Sequence, residues 1–130
     1  MPIGPEHRLT TPAELLFRQA SPGWMREGRP SAQLFRPRPK DQGKVSVDRD
    51  SVIKTAQASR DLAIKNRFPS AGTWAVSVAE VNGETLDVFA DPSQRNSAHA
   101  LIDMTALSTG QQANAADRLH SVALGRGRQA

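Results

Sequence analysis

The sequence predicts one α+β domain, in which a small, mostly antiparallel sheet surrounds a central hairpin and two helices pack against the sheet. The chain has 130 residues, which is the size of an ordinary single domain. Apolar runs flank the dipeptide Asn82-Gly83, which favours the type I′ turn of a hairpin. Two segments with helical spacing of apolar residues lie before this turn and at the C-terminal end, and they supply the helices.

The first elements along the chain are predicted from weak sequence patterns. Thr11 to Glu14 has the form of a helix start, with Thr11 as N-cap and Glu14 closing a capping box. Residues 15–19 continue that helix or form a short buried strand, because periodicity cannot separate the two over five residues. Residues 32–36 fit an edge strand that ends at a proline. Residues 44–48 alternate polar and apolar side chains, as a half-buried strand does.

Stronger signals follow along the chain. Ser51 is predicted to cap a helix over residues 52–67, whose apolar face includes Val52 and Ile64. The hairpin then pairs residues 73–81 with 84–90, and it is expected to be central because both of its faces are largely apolar. In that hairpin Ala79 lies opposite Leu86, and Val76 opposite Phe89. Residues 99–104 form a strand or the end of a helix. A final helix starts at Thr109 and stops at Gly125.

Composition narrows the functional classes. Cysteine is absent, which removes disulfides, thiolate nucleophiles and cysteine-based zinc sites. No stretch resembles a signal peptide or a membrane span, so we expect a cytoplasmic protein with no membrane partner. We expect residues 1–10 to form an irregular leader, 11–124 the domain and 125–130 a loose basic tail. Motifs for phosphate loops and metal sites are missing, so the leading expectation includes no metal and no cofactor.

The segment from Arg26 to Arg49 is basic and rich in proline. It holds seven lysines and arginines against three acids, an excess of +4 that equals the net charge of the whole chain. Prolines alternate with its cations and hold the backbone extended. We expect the cations to engage nucleic acid or an acidic protein, and the alternative is a solvated loop. The predicted binding residues are Arg36, Arg38, Lys40 and Lys44.

Two further groups of residues are candidates. Trp24, beside a Pro-Gly turn, is the predicted apolar anchor if the protein is a structural subunit of a larger assembly. Asp91, Asn96 and His99 form a polar turn directly after a buried strand, a position where loops often carry function. The alternative is that these three residues cap and support the next element.

Single residues on predicted strands support a resemblance. Arg18 lies on an early strand, Ser46 on a second strand followed by a helix, and Glu80 on a later strand. In this layout the chain resembles the ADP-ribosyltransferase-like fold, including the small RES-type bacterial toxins that consume NAD. The resemblance implies that Arg18 grips pyrophosphate, Ser46 orders the site and Glu80 stabilises charge on ribose. The stretches 16–22 and 35–47 also resemble small uncharacterised bacterial proteins, which implies a bacterial origin.

These observations leave three functional hypotheses. The first is a non-enzymatic binding or accessory protein, whose partner is nucleic acid or an acidic protein, with a partner subunit possible among neighbouring genes. The second is an NAD-consuming enzyme that uses Arg18, Ser46 and Glu80, which must then converge on one cleft. The third is a structural subunit of a larger assembly.

Overall fold

The computed structural model describes residues 4–130. Its main sheet has five strands in the order β5-β1-β4-β7-β6, and every neighbouring pair is antiparallel. A two-stranded sheet, β2-β3, stands apart. This architecture confirms the predicted α+β class with a mostly antiparallel sheet. The strands are β1 Leu15–Gln19, β2 Met25–Arg26, β3 Arg29–Pro30, β4 Lys44–Arg49, β5 Thr73–Ser77, β6 Asp87–Ala90 and β7 His99–Asp103. The α-helices are α1 Asp50–Ile53, α2 Ala56–Lys65, α3 Val78–Gly83 and α4 Thr109–Arg126.

One face of the sheet forms the hydrophobic core with α4. Alternation along the strands places apolar side chains such as Leu16, Val45 and Ile102 on this face. The buried stripe of α4 packs on them and consists of Ala115, Ala116, Leu119 and Ala123. Three of these four are alanines, so the helix backbone can approach the sheet closely. Helix α4 starts at the predicted Thr109 and is capped by Ser108, and Gly127 ends it, two residues after the predicted stop.

The other face of the sheet is covered in part by α2, and the contact is polar. Ser59 is the buried residue of α2, whereas Ile64 is 51% exposed and Val52 is 37% exposed. The predicted single helix over residues 52–67 with a buried apolar face is therefore wrong. The chain breaks at Lys54, whose φ is +77°, and Thr55 caps a second helix by accepting a hydrogen bond from the Ala58 N–H.

The predicted central hairpin is wrong, because Asn82-Gly83 ends helix α3 instead of forming a turn between strands. β5 and β6 lie at the two opposite edges of the sheet, and neither predicted pairing exists. Val76 pairs with Leu16 and Phe89 pairs with Leu101. Ser77 and Glu80 form a reciprocal capping box that starts α3 immediately after β5. This helix signal overrides the turn signal of the dipeptide that follows.

Three further expectations in the N-terminal half are also corrected. Residues 11–14 form a turn, not a helix start, and the ambiguous residues after them form strand β1. Glu14 is buried and accepts hydrogen bonds from Arg49, at 3.0 Å, and from the Ser51 hydroxyl. Ser51 therefore holds the start of β1 and does not cap a helix. Residues 32–35 form a 3₁₀ helix capped by Ser31, where an edge strand was expected.

Both ends of the described chain are attached to the sheet edges. Leu9 is buried and donates its N–H to the Val88 carbonyl at 2.8 Å, which covers the edge strand β6. At the other edge the Thr73 N–H donates to the Ala130 carbonyl at 2.9 Å, and the Gln129 N–H donates to the Thr73 carbonyl at 2.8 Å. Residues 125–130 are therefore not a loose tail, and these contacts protect an edge that could otherwise pair with another chain. Residues 1–3 of the predicted leader lie outside the described residues.

Within residues 4–130, the structure has no helix with the length and apolar character needed to cross a membrane.

Candidate functional site

A pocket of about 230 Å³ opens where two central strands separate. β1 and β4 are paired only at Leu16–Arg49 and Phe17–Asp48. Beyond these two pairs β1 stays with β5 and β4 stays with β7, so the sheet splits. Side chains from β1, β4 and β7, from α2 and from three loops line the gap. The polar lining includes Arg18, Arg38, Ser46, Asp48, Asn96 and His99.

Arg18 fills the split between the strands. Its side chain is held by two backbone carbonyls, with Nε donating to Leu34 O at 2.7 Å and Nη1 donating to Ser46 O at 3.0 Å. The second bond satisfies a carbonyl of β4 that has no β1 residue opposite it. The guanidinium also lies 5.1 Å from the Trp24 ring centroid, a cation–π distance. Arg18 is thus rigidly positioned and is only 8% exposed.

The charge of Arg18 is not balanced by an ion pair. Within residues 4–130 it forms no salt bridge with a carboxylate. Burial, and to a smaller extent the neighbouring cation of Arg38, lowers the pKa of Arg18 to about 10, although Asp41 and Asp48 oppose this shift. Buried charges in proteins are normally paired with an opposite charge. A buried guanidinium without an ion-pair partner is therefore unusual, and it marks this pocket as a candidate site for an anion.

Arg38 places a second guanidinium at the pocket. It precedes a 3₁₀ helix over Pro39–Asp41 and donates from Nε to Asp41 Oδ2 at 3.1 Å. Its side chain is 46% exposed. The backbone turns into the 3₁₀ helix at Pro39, so the basic segment is not the extended row of cations that its prolines predict.

Ser46, His99 and Asp91 form a hydrogen-bonded series, and its first two members line the same pocket. His99 Nδ1 lies 3.0 Å from the Asp91 carbonyl oxygen and 3.2 Å from Asp91 Oδ2. Both are acceptors, so Nδ1 carries the proton of the neutral ring. Nε2 is then the acceptor and lies 3.1 Å from Ser46 Oγ. The Ser46 hydroxyl therefore donates to the imidazole, and this orientation is assigned from the surrounding hydrogen bonds.

Asp48 connects the pocket to a buried polar network. Its Oδ2 accepts from Ser59 Oγ at 2.6 Å and its Oδ1 accepts from Asn96 Nδ2 at 2.7 Å. Ser59 in turn accepts from Gln19 Nε2 at 2.9 Å. Gln19 Oε1 accepts from the hydroxyls of Ser70 and Thr73, which are also buried. The network ties α2, β1 and the loop before β7 together beneath the pocket.

The structure brings together predicted residues that the sequence suggested separately. Arg18, Ser46, Arg38, Asn96 and His99 all line one pocket. The predicted polar turn therefore contributes Asn96 and His99 to this pocket, whereas Asp91 is not among the lining residues.

Glu80 does not reach this pocket. It lies on α3 and pairs with Arg126, Nη1 to Oε1 at 2.7 Å. Although burial alone would raise the pKa of Glu80, hydrogen bonds from Arg126 and from the Ser77 backbone lower it. Arg18 and Ser46 therefore lie at one pocket as predicted, but the prediction that Glu80 joins them is wrong.

The other predicted binding residues are dispersed. Arg36 pairs with Asp117 of α4 at 3.1 Å, so its charge is neutralised away from the pocket. Lys40 is exposed and Lys44 is half-buried at the start of β4. Trp24 is half-buried and packs on Arg18 and on Phe68, with 6.5 Å between the two ring centroids. Trp24 is therefore occupied within the domain and is not a free apolar anchor.

Sequence reasoning missed Asp48, Gln19 and Ser59. A signal for Asp48 was present, because it lies two residues after Ser46 in an alternating strand and so shares its face. No comparable signal marks Ser59, a small polar residue on a helix whose apolar residues were expected to face the sheet.

Comparison with protein-family models, with curated proteins and with solved structures finds no match to this chain. Because a fold alone does not define function, the function is inferred from the geometry of the pocket.

Proposed function

We propose that the protein binds a small ligand through a phosphate or carboxylate group, held between Arg18 and Arg38. The observation that carries this proposal is the buried guanidinium of Arg18, which has no ion-pair partner in residues 4–130. Removing a charged group from water costs several kcal/mol unless a counter-charge offsets it. A bound anion would supply that counter-charge.

The hydrogen-bonding capacity of Arg18 supports the same proposal. Guanidinium has five N–H donors, and Arg18 uses one from Nε and one from Nη1, while Nη2 donates to no group in the described chain. Its free N–H groups can form the paired hydrogen bonds that carboxylates and phosphates accept. Arg38, which is paired with Asp41 through Nε at 3.1 Å, adds a second guanidinium that is close enough to lower the pKa of Arg18.

The volume of the pocket limits the ligand. At about 230 Å³ it is smaller than the ~300–1,000 Å³ of sites that enclose drug-sized molecules. A small acid, or the terminal charged group of a larger ligand, fits this volume. NAD is tested as well, because the ADP-ribosyltransferase-like resemblance implies a pyrophosphate at Arg18, although Glu80 lies outside this pocket and the pyrophosphate of NAD is internal to the molecule.

Isothermal titration calorimetry with inorganic pyrophosphate, succinate and NAD tests the proposal. We expect at least one of them to bind, and Arg38→Gln to lower its affinity tenfold or more, or about 1.4 kcal/mol. Arg18→Gln should abolish binding. Arg118→Gln, an exposed arginine of α4 outside the pocket lining, is the matched control and should bind as the wild type does.

Using both Arg18→Gln and Arg38→Gln separates a loss of anion binding from a loss of folding. Arg18 is buried, so its variant must first give a wild-type circular dichroism spectrum. Arg38 is partly exposed and its variant should fold normally. If none of the three anions binds the wild type, or if Arg38→Gln and Arg118→Gln bind equally well, the proposal is wrong.

A second proposal retains nucleic acid or an acidic protein as the partner of the basic segment, with cytoplasmic location as the expected setting. It rests on Lys40 and Lys44, which form no salt bridge within residues 4–130. A fluorescent oligonucleotide titrated at increasing salt tests it, because several phosphate contacts make affinity fall steeply with salt. Lys40→Glu with Lys44→Glu should weaken binding, and absence of binding at low salt to DNA, RNA and a polyglutamate chain would refute it.

A further inference from the structure

The series Ser46–His99–Asp91 has the connections of an activated nucleophile. A hydroxyl donates to an imidazole nitrogen at 3.1 Å, and the other ring nitrogen donates to acceptors at 3.0 and 3.2 Å. These are the two relations that define nucleophilic catalysis by serine: a nucleophile bonded to a base, and a base oriented by a third group. Ser46 is also exposed at the pocket, so a substrate can reach its Oγ.

We infer that Ser46 and His99 are catalytic residues that hydrolyse a carboxylic ester, and that Asp91 positions His99. The substrate class rests on the proposed function: the ester carries a negatively charged group, which Arg18 binds. Arg18 Nη1 donates to the backbone carbonyl of Ser46, and Arg18 and Ser46 line the same pocket, so a substrate bound there can contact both residues.

The reaction proceeds in two steps, the acylation of Ser46 and the hydrolysis of the acyl–Ser46 ester. Ser46 Oγ attacks the carbonyl carbon while its proton passes to His99 Nε2, and the bond from that carbon to the alcohol oxygen breaks. The alcohol leaves with the proton from His99. Water then attacks the acyl–Ser46 ester, giving one proton to His99, which returns it to Ser46 Oγ as the acid is released. Asp91 keeps the proton on Nδ1 throughout, so that Nε2 remains free to accept.

Labelling with diisopropyl fluorophosphate tests the nucleophile without a known substrate. Ser46 Oγ forms a bond to phosphorus, the P–F bond breaks, fluoride leaves, and the serine proton passes through His99 to solvent. Peptide mass spectrometry should place the phosphoryl group on Ser46. His99→Gln should slow labelling at least about 100-fold, the lower limit of general-base effects. Ser121→Ala, an exposed serine of α4, is the control and should label as the wild type does.

Asp91 has its own test. Its side chain is 46% exposed, and its carbonyl also accepts from Nδ1, so Asp91→Asn should slow labelling roughly tenfold, well below the ~10⁴ of a buried triad aspartate. Asp91→Glu should restore the rate, whereas a merely structural aspartate would give no such rescue. Equal labelling of wild type, Asp91→Asn and Asp91→Glu would refute the positioning role.

The substrate class is tested with two esters. We expect 4-nitrophenyl hemisuccinate, which carries a carboxylate, to have a kcat/KM at least tenfold above that of neutral 4-nitrophenyl butyrate. Arg38→Gln should reduce this preference. Equal kcat/KM for the two esters would refute the charged-substrate inference.

Failure of the nucleophile and failure of anion binding are distinguishable. Diisopropyl fluorophosphate is neutral, so it labels an activated Ser46 even if no anion binds Arg18. Ser46→Ala leaves the arginines in place and should still bind the anion in calorimetry. A folded wild-type protein whose Ser46 takes no label, or labels as fast in His99→Gln as in the wild type, would overturn the nucleophile inference whatever the result with anions.

Discussion

Ser59→Ala is the most informative perturbation of the network beneath the pocket. Ser59 is fully buried, and its hydroxyl both donates to the Asp48 carboxylate at 2.6 Å and accepts from Gln19 Nε2 at 2.9 Å. The substitution removes both bonds and leaves two buried polar groups without this partner. Because α2 contacts the sheet through this serine, we expect its loss to destabilise the domain and not only the site.

The expected loss in the free energy of unfolding follows from the two hydrogen bonds that Ser59→Ala removes. A bond to a charged group contributes about 1.5–3 kcal/mol and a neutral one about 0.5–1.5 kcal/mol. Alanine returns only a few tenths of a kcal/mol through its higher helix propensity. We therefore expect the free energy of unfolding to fall by about 2–4 kcal/mol, which for a domain of this size lowers Tm by roughly 10 °C.

Urea unfolding followed by circular dichroism measures this change as a shift of the midpoint at constant m. Ser121→Ala is the matched control, because it makes the same substitution at an exposed site of α4, and it should change stability by less than about 0.5 kcal/mol. If Ser59→Ala is as stable as Ser121→Ala, the buried network does not support the fold as argued. The same result would remove the reason for expecting Asp48 to be held in place at the pocket.

Three more substitutions test other parts of the structure. Burial alone would raise the pKa of Glu80, but hydrogen bonds from Arg126 and the backbone hold it below its usual value. Glu80→Gln should therefore be less stable than the wild type at pH 7. Thermal melts should show that this difference in stability vanishes as pH falls through the lowered pKa of Glu80. Gly72→Ala should destabilise by about 1–3 kcal/mol, measured by urea unfolding, because φ is +152° and the new Cβ would lie 2.8 Å from the Trp74 ring. Gly83→Ala, with open space around its Cβ in helix α3, should leave stability unchanged or raise it by up to about 1 kcal/mol in the same assay, and a loss of stability there would contradict the helical assignment.

Local patterns in the sequence identified several elements correctly. The alternation over residues 44–48 predicted β4, and the spacing of Leu119 and its neighbours predicted α4. These signals are reliable because side-chain periods of 2 and 3.6 residues follow directly from backbone geometry. The signal at Asn82-Gly83 failed because such a dipeptide serves a hairpin turn and a helix end equally well. Only the competing capping box at Ser77 and Glu80 distinguished the two.

Most of the polar residues that line the pocket were predicted from the sequence as candidates, but the sequence did not predict that they lie together. Arg18 and Ser46 were candidates because of their strand positions, and His99 and Asn96 because of a polar turn. Glu80 was included for the same reason as Arg18 and Ser46, and it lies elsewhere. The capping box with Ser77 is the local signal that places Glu80 on a helix, whereas its pairing with Arg126 of α4 depends on tertiary structure.

The sequence by itself therefore determined the α+β class, several of the strands and the C-terminal helix, and a set of polar residues available for function. The tertiary structure alone decided that β4 lies between β1 and β7 and that β1 and β4 separate after two residue pairs. The physical reason is that strand order depends on which apolar faces bury together across long sequence separations, and local propensity carries no information about that choice. That strand order is what brings the buried charge of Arg18 beside Ser46 and His99.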